Sequence, residues 1–308
     1  MNLIFVVTRL WRYLNIYFLK PFDAVNDTLT SYLIFNNHSL KNNYIELGSG
    51  DGMFSYIMCG GKFPLEFDRY LDVKLSQKDI FDVHKKNFLL NLDVKKTIRP
   101  LISIDAKKNH VIKIKQIGFS KKAVLSSYEK LTLKKESTKL IFYYTAHGVK
   151  NFNKSVNSAL KILKKNGRII FLVFDDYVKK NFLCYFLYRK GFLKNFFKNL
   201  DNNRFKEISS YSKKSSEWRI FFKSKGLKII NESRGLSGVA WQFYDIQTRP
   251  ILKLLILFFN FFPKNFRRIL KFVWMITLYP FLLIFFIVFS NLLIKSNNNC
   301  YLVFELKK

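Results

Sequence analysis

At 308 residues, 49% hydrophobic and 18% aromatic, the chain can bury one sizeable domain with additions, which excludes a disordered polymer. The 53 Lys and Arg against 21 Asp and Glu give a net charge of +32, suited to nucleic acid or an anionic membrane surface, although Lys, Asn, Ile and Phe are abundant throughout, as in chains from AT-rich genomes. Cys59, Cys184 and Cys300 are far apart and His38, His84, His110 and His147 equally scattered, so neither a disulfide framework nor a metal site is expected, and a reducing cytoplasmic setting is the default.

Residues 2–20 place Leu3, Val7, Leu10, Trp11, Leu14 and Phe18 on one helical face and Thr8, Arg9, Arg12 and Asn15 on the other, the pattern of an amphipathic, interfacial helix. Arg9 and Arg12 interrupt what would be the apolar core of a signal peptide, so the segment is expected to be retained. Pro21 ends that helix, and Asp27 or Thr28 is expected to cap a second one through Tyr32 to Phe35.

Tyr44-Ile45-Glu46-Leu47 is a β-prone run that stops in Gly48-Ser49-Gly50-Asp51-Gly52. Alternating glycines allow positive φ and close approach of a ligand at a strand-to-helix turn. The pattern is Glu-x-Gly-x-Gly-x-Gly; a dinucleotide fingerprint has its third glycine one residue later, and Asp51 would oppose a pyrophosphate.

Residues 60–100 carry mixed charge without clean periodicity and read as an insertion over the ligand site. Leu101-Ile102-Ser103-Ile104-Asp105 is a second strand closing on an acid, followed by a helix from Ala106 to Ile117 that Gly118 stops. Ala123 to Ser127 is a third strand, and Lys139 to Thr145 a fourth that ends in the loop Ala146-His147-Gly148. Val156, Ala159, Leu160 and Leu163 fall at i, i+3, i+4 and i+7 of a helix that Asn166-Gly167 closes, before a fully apolar fifth strand, Arg168 to Phe174.

The stretch from Glu46 to Gly52 resembles the first motif of class I S-adenosylmethionine-dependent methyltransferases, and Ala159 to Arg168 resembles that family's turn before its fifth strand. The resemblance implies a Rossmann-like α/β fold with a seven-stranded sheet, six strands parallel and the last antiparallel. It implies S-adenosylmethionine as cofactor, held by Glu46, Gly48, Ser49, Gly50, Gly52, Asp105, Ser127 and Thr145. Asp105 would take the ribose hydroxyls, and Ser126 or Ser127 stands where the family often has an acid for the adenine amine.

Residues 176–215 are basic and aromatic, where such enzymes carry substrate-specific lids; a helix capped by Ser216 and a sixth strand, Leu227 to Glu232, follow. In the succeeding loop, Arg234 to Asp245, Trp241 and Asp245 are candidate substrate contacts. Residues 250–298 are largely apolar, with Lys264, Arg267, Arg268 and Lys271 between two apolar runs and no charge from Phe272 to Ile294. Residues 299–308 are a final strand, and a chain that must return to its sheet cannot cross a bilayer an odd number of times. A hairpin bent near Pro280, lying in the cytoplasmic leaflet with its basic cluster at the headgroups, satisfies that constraint, and a single span leaves the last strand unpaired.

The resulting layout is amphipathic helices over 1–35, a methyltransferase domain over 36–249, the apolar hairpin, and the last strand. The function expected is methylation, at a membrane surface, of a lipid-linked or otherwise apolar small molecule, with His147 and Tyr144 the candidate bases and no metal and no specific nucleic acid as partner. A nucleic-acid methyltransferase is the alternative among enzymes, though neither an Asn/Asp-Pro-Pro-aromatic motif nor a Pro-Cys dipeptide is present. A non-catalytic membrane protein keeping the fold is the other alternative.

Overall fold

The computed structural model describes residues 2–37, 43–71, 73, 75, 98–144, 149–295 and 298–308. Two helices, α1 (Leu3–Ile16) and α2 (Pro21–Asn37), precede β1 (Tyr44–Leu47). There follow α3 (Met53–Met58), β2 (Pro100–Asp105), α4 (Lys108–Ile117), β3 (Lys122–Leu125), β4 (Thr138–Tyr143), α5 (Phe152–Ile162) and β5 (Leu163–Phe174). The second half runs α6 (Leu183–Arg189), α7 (Lys194–Tyr211), α8 (Ser215–Ser224), β6 (Lys228–Ser237), α9 (Gly238–Ile246), α10 (Leu252–Asn260), α11 (Lys264–Lys295) and β7 (Asn299–Lys307).

The strands form one sheet in the order β3-β2-β1-β4-β5-β7-β6. The five strands from β3 to β5 are mutually parallel, and β7 lies antiparallel between β5 and β6. The order reverses between β1 and β4, so the crevice over their carboxyl ends is the place where such sheets bind ligands. Side chains alternate across the sheet: Ile45 and Leu47 join the core beneath α5 and α8, with Val156, Trp218 and Phe222, while Tyr44 joins the core of the opposite face with α1, α2, α3 and α11.

The structure corrects three sequence expectations for α1, α2 and β6. Helix α2 begins at Pro21, which fits the first turn because it has no N–H to leave unbonded, so Asp27 is a buried mid-helix residue rather than a cap. Helix α1 packs on its own protein: Arg9 Nε donates to Met58 O at 3.1 Å, Arg12 to Gly60 O at 2.7 Å, and Asn15 Nδ2 to Phe63 O at 3.1 Å. Its polar face therefore satisfies carbonyls at the end of α3 and beyond it. Strand β6 runs on to Ser237 because it pairs with β7 from Lys228 opposite Lys307 to Ser237 opposite Asn299, and the expected loop is a strand end followed by α9.

The apolar hairpin turns at residues 261–263, between α10 and α11, and α11 continues through Pro280. Its basic cluster faces the protein. Arg267 bonds Asp68 and Asn260, Arg268 bonds Glu66, and Lys271 Nζ donates to Phe67 O at 2.6 Å and Leu65 O at 3.1 Å. Of the four, Lys264 is left exposed without these partners. Outward, α10 and α11 present Leu254, Leu257, Phe258, Ile269, Val273, Ile276, Phe281 and Ile284, each more than half or nearly half exposed. Lys264–Ile287 is, by length and composition, apolar enough to cross a bilayer.

Candidate cofactor and acceptor site

The turn after β1 is built from three glycines at positive φ: Gly48 at 76°, Gly50 at 56° and Gly52 at 79°. Gly48 N and Ser49 N both bond Ile104 O, at 3.0 and 3.3 Å, which pins the turn to the end of β2. A Cβ on Gly52 would meet Ile114 Cγ1 at 3.1 Å, whereas a Cβ on Gly50 would meet nothing within 4 Å. Gly50 therefore faces open space at the crevice, a cradle fit for a close-approaching ligand.

Asp105, at the end of β2, is buried and reaches this turn. Its Oδ2 accepts from Gly50 N at 2.9 Å and from Tyr128 OH at 3.2 Å, and its Oδ1 from Lys107 N at 2.9 Å and His110 Nδ1 at 3.2 Å. The carboxylate is thus oriented by the protein. Asp51, on the same turn, pairs with Arg69 at 2.7 Å. Burial alone would raise the Asp51 carboxyl, but Arg69, Lys113 and His110 hold it below the usual range, so Asp51 stays ionised in its pair with Arg69.

Glu46 lies under the turn, 1% exposed, between the sheet and α3. It accepts from Ser55 Oγ and, at 3.1 Å, from Ser103 Oγ. Burial pushes its carboxyl up to about 7, against the pull of those two hydroxyls. Ser127 is exposed past the end of β3, its Oγ accepting from Glu129 N at 3.3 Å.

Tyr144 stands at the end of β4, its N–H on Leu47 O at 3.1 Å and its ring stacked on Phe54 at 4.3 Å. Its hydroxyl donates to Asp27 Oδ1 at 3.3 Å. Thr145 and His147 lie outside the described residues. Trp241 and Asp245 are on α9, both buried: Asp245 is 3.7 Å from Arg204, whose guanidinium sits 5.4 Å from the Trp241 ring. These contacts join α9 to α7.

Sequence reasoning missed Asp27, Tyr17, Arg69 and Tyr128. Asp27 lies 4% exposed on the inner side of α2, one turn after Asp23. Burial, then the neighbouring Asp23, raises the Asp27 carboxyl to about 7. The signal present in the sequence was a pair of acids at i and i+4 inside an otherwise uncharged helix. Among the described residues, no group of three or more His, Cys, Asp or Glu could hold a metal ion.

No family model matches the chain, and no curated protein matches it. Among solved structures it is similar to a SAM-dependent methyltransferase from Thermotoga maritima, at 13% identity over 91% of this chain and 89% of that one, with a TM-score of 0.47. It is similar also to the [4+2]-cyclase SpnF, at 8% identity over 92% and 81% of the two chains, with a TM-score of 0.47. A SAM-dependent methyltransferase from Aquifex aeolicus shares 10% identity over 66% of this chain and 82% of its own, at 0.40. Likeness at this level carries nothing about chemistry, and the fold stands on strand order. With β7 set antiparallel between β5 and β6 and the glycine turn at the reversal of strand order, the chain has the class I methyltransferase fold.

Proposed function

We propose that the protein transfers a methyl group from S-adenosylmethionine, at a membrane surface, to a lipid-linked or otherwise apolar small molecule. The observation that carries this reading is topological. Strand β6 ends, and β7 begins, at the same edge of the sheet as the glycine turn, with Ser237 paired to Asn299. The apolar hairpin therefore leaves and returns at the ligand edge, which would set the crevice against a bilayer holding an apolar acceptor.

The residues fit the cofactor in kind. The Gly48 to Gly52 backbone would cradle the methionine moiety, Asp105 would meet the ribose, and Ser127 would meet the adenine amine. When bound, the cofactor supplies an electrophilic methyl group. The chain's part is to hold acceptor and methyl in line and exclude water.

Helix α11 lies along the surface in this reading. A helix of this length could span, but α10, at nine residues or about 14 Å, is too short to carry the chain back across.

Calorimetry with S-adenosylmethionine on detergent-solubilised protein, paired with flotation on anionic vesicles, tests both halves. Binding to each is expected, and loss of either removes that half. One observation favours a second reading, a non-catalytic protein keeping the fold: every oxygen of the Asp105 carboxylate is already bonded within the protein. Cofactor binding that needs Asp105 would dismiss it.

A further inference from the structure

Asp23 and Asp27 share the buried side of α2 but not its chemistry. Asp23 is neutralised, its Oδ1 taking Lys20 Nζ at 2.7 Å and its Oδ2 the Gln247 amide at 2.8 Å. Asp27 has no ion pair among the described residues. Its partners are neutral donors: the Tyr144 hydroxyl at 3.3 Å, the Asn26 amide at 3.2 Å, and the Tyr17 hydroxyl. A buried carboxylate without a cation in contact is costly, so a group held this way is poised between its charged and neutral forms.

Its position ties it to the glycine turn on two sides. Tyr144 bonds Leu47 O, immediately before Gly48, and stacks on Phe54 at the start of α3. Tyr17 lies under the Arg69 guanidinium, 5.1 Å away, and Arg69 pairs with Asp51 of the turn. Both tyrosines are only partly buried, so Asp27 is one hydrogen bond from side chains that solvent reaches. The charged and titratable groups that bear on it are Asp23 from its own helix, Lys20 from the turn before it, Tyr13 and Tyr17 from the α1 side, Arg69, Tyr144 and Tyr301.

Resting on the cofactor reading above, we propose that Asp27 is the terminal proton acceptor of this site: it ionises when a cationic sulfonium arrives, and its carboxylate then takes, through the Tyr144 hydroxyl, the proton of an acceptor bearing O–H or N–H. The acceptor's lone pair forms the new bond to the methyl carbon as the carbon–sulfur bond breaks toward sulfur, leaving a neutral thioether. The acceptor's proton passes to the Tyr144 oxygen as that hydroxyl gives its own proton to Asp27 Oδ1, so the tyrosine ends neutral and the carboxyl protonated. Asp27 gives that proton to solvent when the next sulfonium binds. The acceptor class is narrowed accordingly to phenols, enols, hydroxyls and protonated amines, for which loss of a proton is part of the reaction.

The test is calorimetric titration of the full chain in detergent at about pH 7 with S-adenosylmethionine and with S-adenosylhomocysteine, in phosphate and in Tris, so that exchanged protons are counted. The carboxyl titrates at about 7, so the sulfonium ligand should release about half a proton and the neutral thioether none. In Asp27→Asn, a neutral group of the same size that relieves the burial of charge, release should vanish. Affinity for the sulfonium should fall about tenfold while that for the thioether changes less than about twofold. Asp27→Glu should restore release. Undiminished release in Asp27→Asn, or equal release with the two ligands, would overturn the assignment to Asp27 while leaving the cofactor site standing. Failure of both ligands to bind the unaltered protein would overturn the cofactor reading and this one with it.

Discussion

Ser237, the last residue of β6, is paired in the sheet with Asn299, the first residue of β7. Everything between them is therefore a closed excursion. The expected outcome for single cysteines at positions 265 and 298, in a background lacking Cys59, Cys184 and Cys300, is that an impermeant reagent applied to intact cells labels neither. Labelling at either position would show that the chain crosses and would remove the in-plane placement of α11.

The four basic residues around the start of α11 should behave differently from one another. Lys271 is 2% exposed and holds two backbone carbonyls and Asn15, so Lys271→Met leaves those acceptors unpaired and should cost about 2 to 4 kcal/mol in denaturant unfolding. Lys264→Ala should leave stability within about 0.5 kcal/mol and weaken binding to anionic vesicles by about 1 kcal/mol. Equal effects on vesicle binding from the two variants would contradict the inward placement of Lys271.

Gly50 and Gly52 separate ligand binding from folding. Both have positive φ, so alanine strains either by about 1 kcal/mol, but the added methyl on Gly52 also presses on Ile114, 3.1 Å away. Gly52→Ala should lower unfolding stability by about 2 kcal/mol or more. Gly50→Ala should stay folded and lose S-adenosylmethionine affinity by about tenfold or more, since its methyl enters the open crevice. Unchanged affinity in Gly50→Ala, measured by calorimetry, would contradict the cradle.

Glu46 gives a pH signature. Its folded-state carboxyl lies at about 7, above its unfolded value of 4.5, so the folded state binds the proton more tightly. The stability it contributes is full below about pH 4.5 and is lost as pH rises through about 7. Glu46→Gln removes the ionisation, so at about pH 8 it should be more stable than the parent by about 2 to 3 kcal/mol, the gap closing toward pH 4. A gap that widens on acidification would refute the buried, proton-binding state of Glu46.

The sheet was legible because each of its strands carries a local signal. The motif at Glu46 to Gly52 set the first strand, and the apolar run ending at Phe174 set the fifth, so the order of elements followed. The site was legible only where it is local in sequence. Asp105 falls on the turn as the motif implies, but Asp27, Tyr17 and Arg69 reach it through tertiary packing of α1, α2 and the 63–70 segment, and no spacing along the chain records those contacts. The orientation of α11 was hidden for a related reason: Arg267 and Lys271 carry charge that reads as a membrane-facing cluster, and Asp68, Asn15 and two carbonyls, distant in sequence, help make burial of that charge tolerable.

Asp68 and Arg69 are consecutive residues that hold two different elements, the first gripped by Arg267 of α11 and the second gripping Asp51 of the glycine turn. The apolar helix and the ligand turn are thereby joined through two consecutive residues, with an ion pair at each end. Were binding of lipid at α11 to tighten binding of ligand at the turn, reciprocity would require ligand to tighten lipid by the same factor.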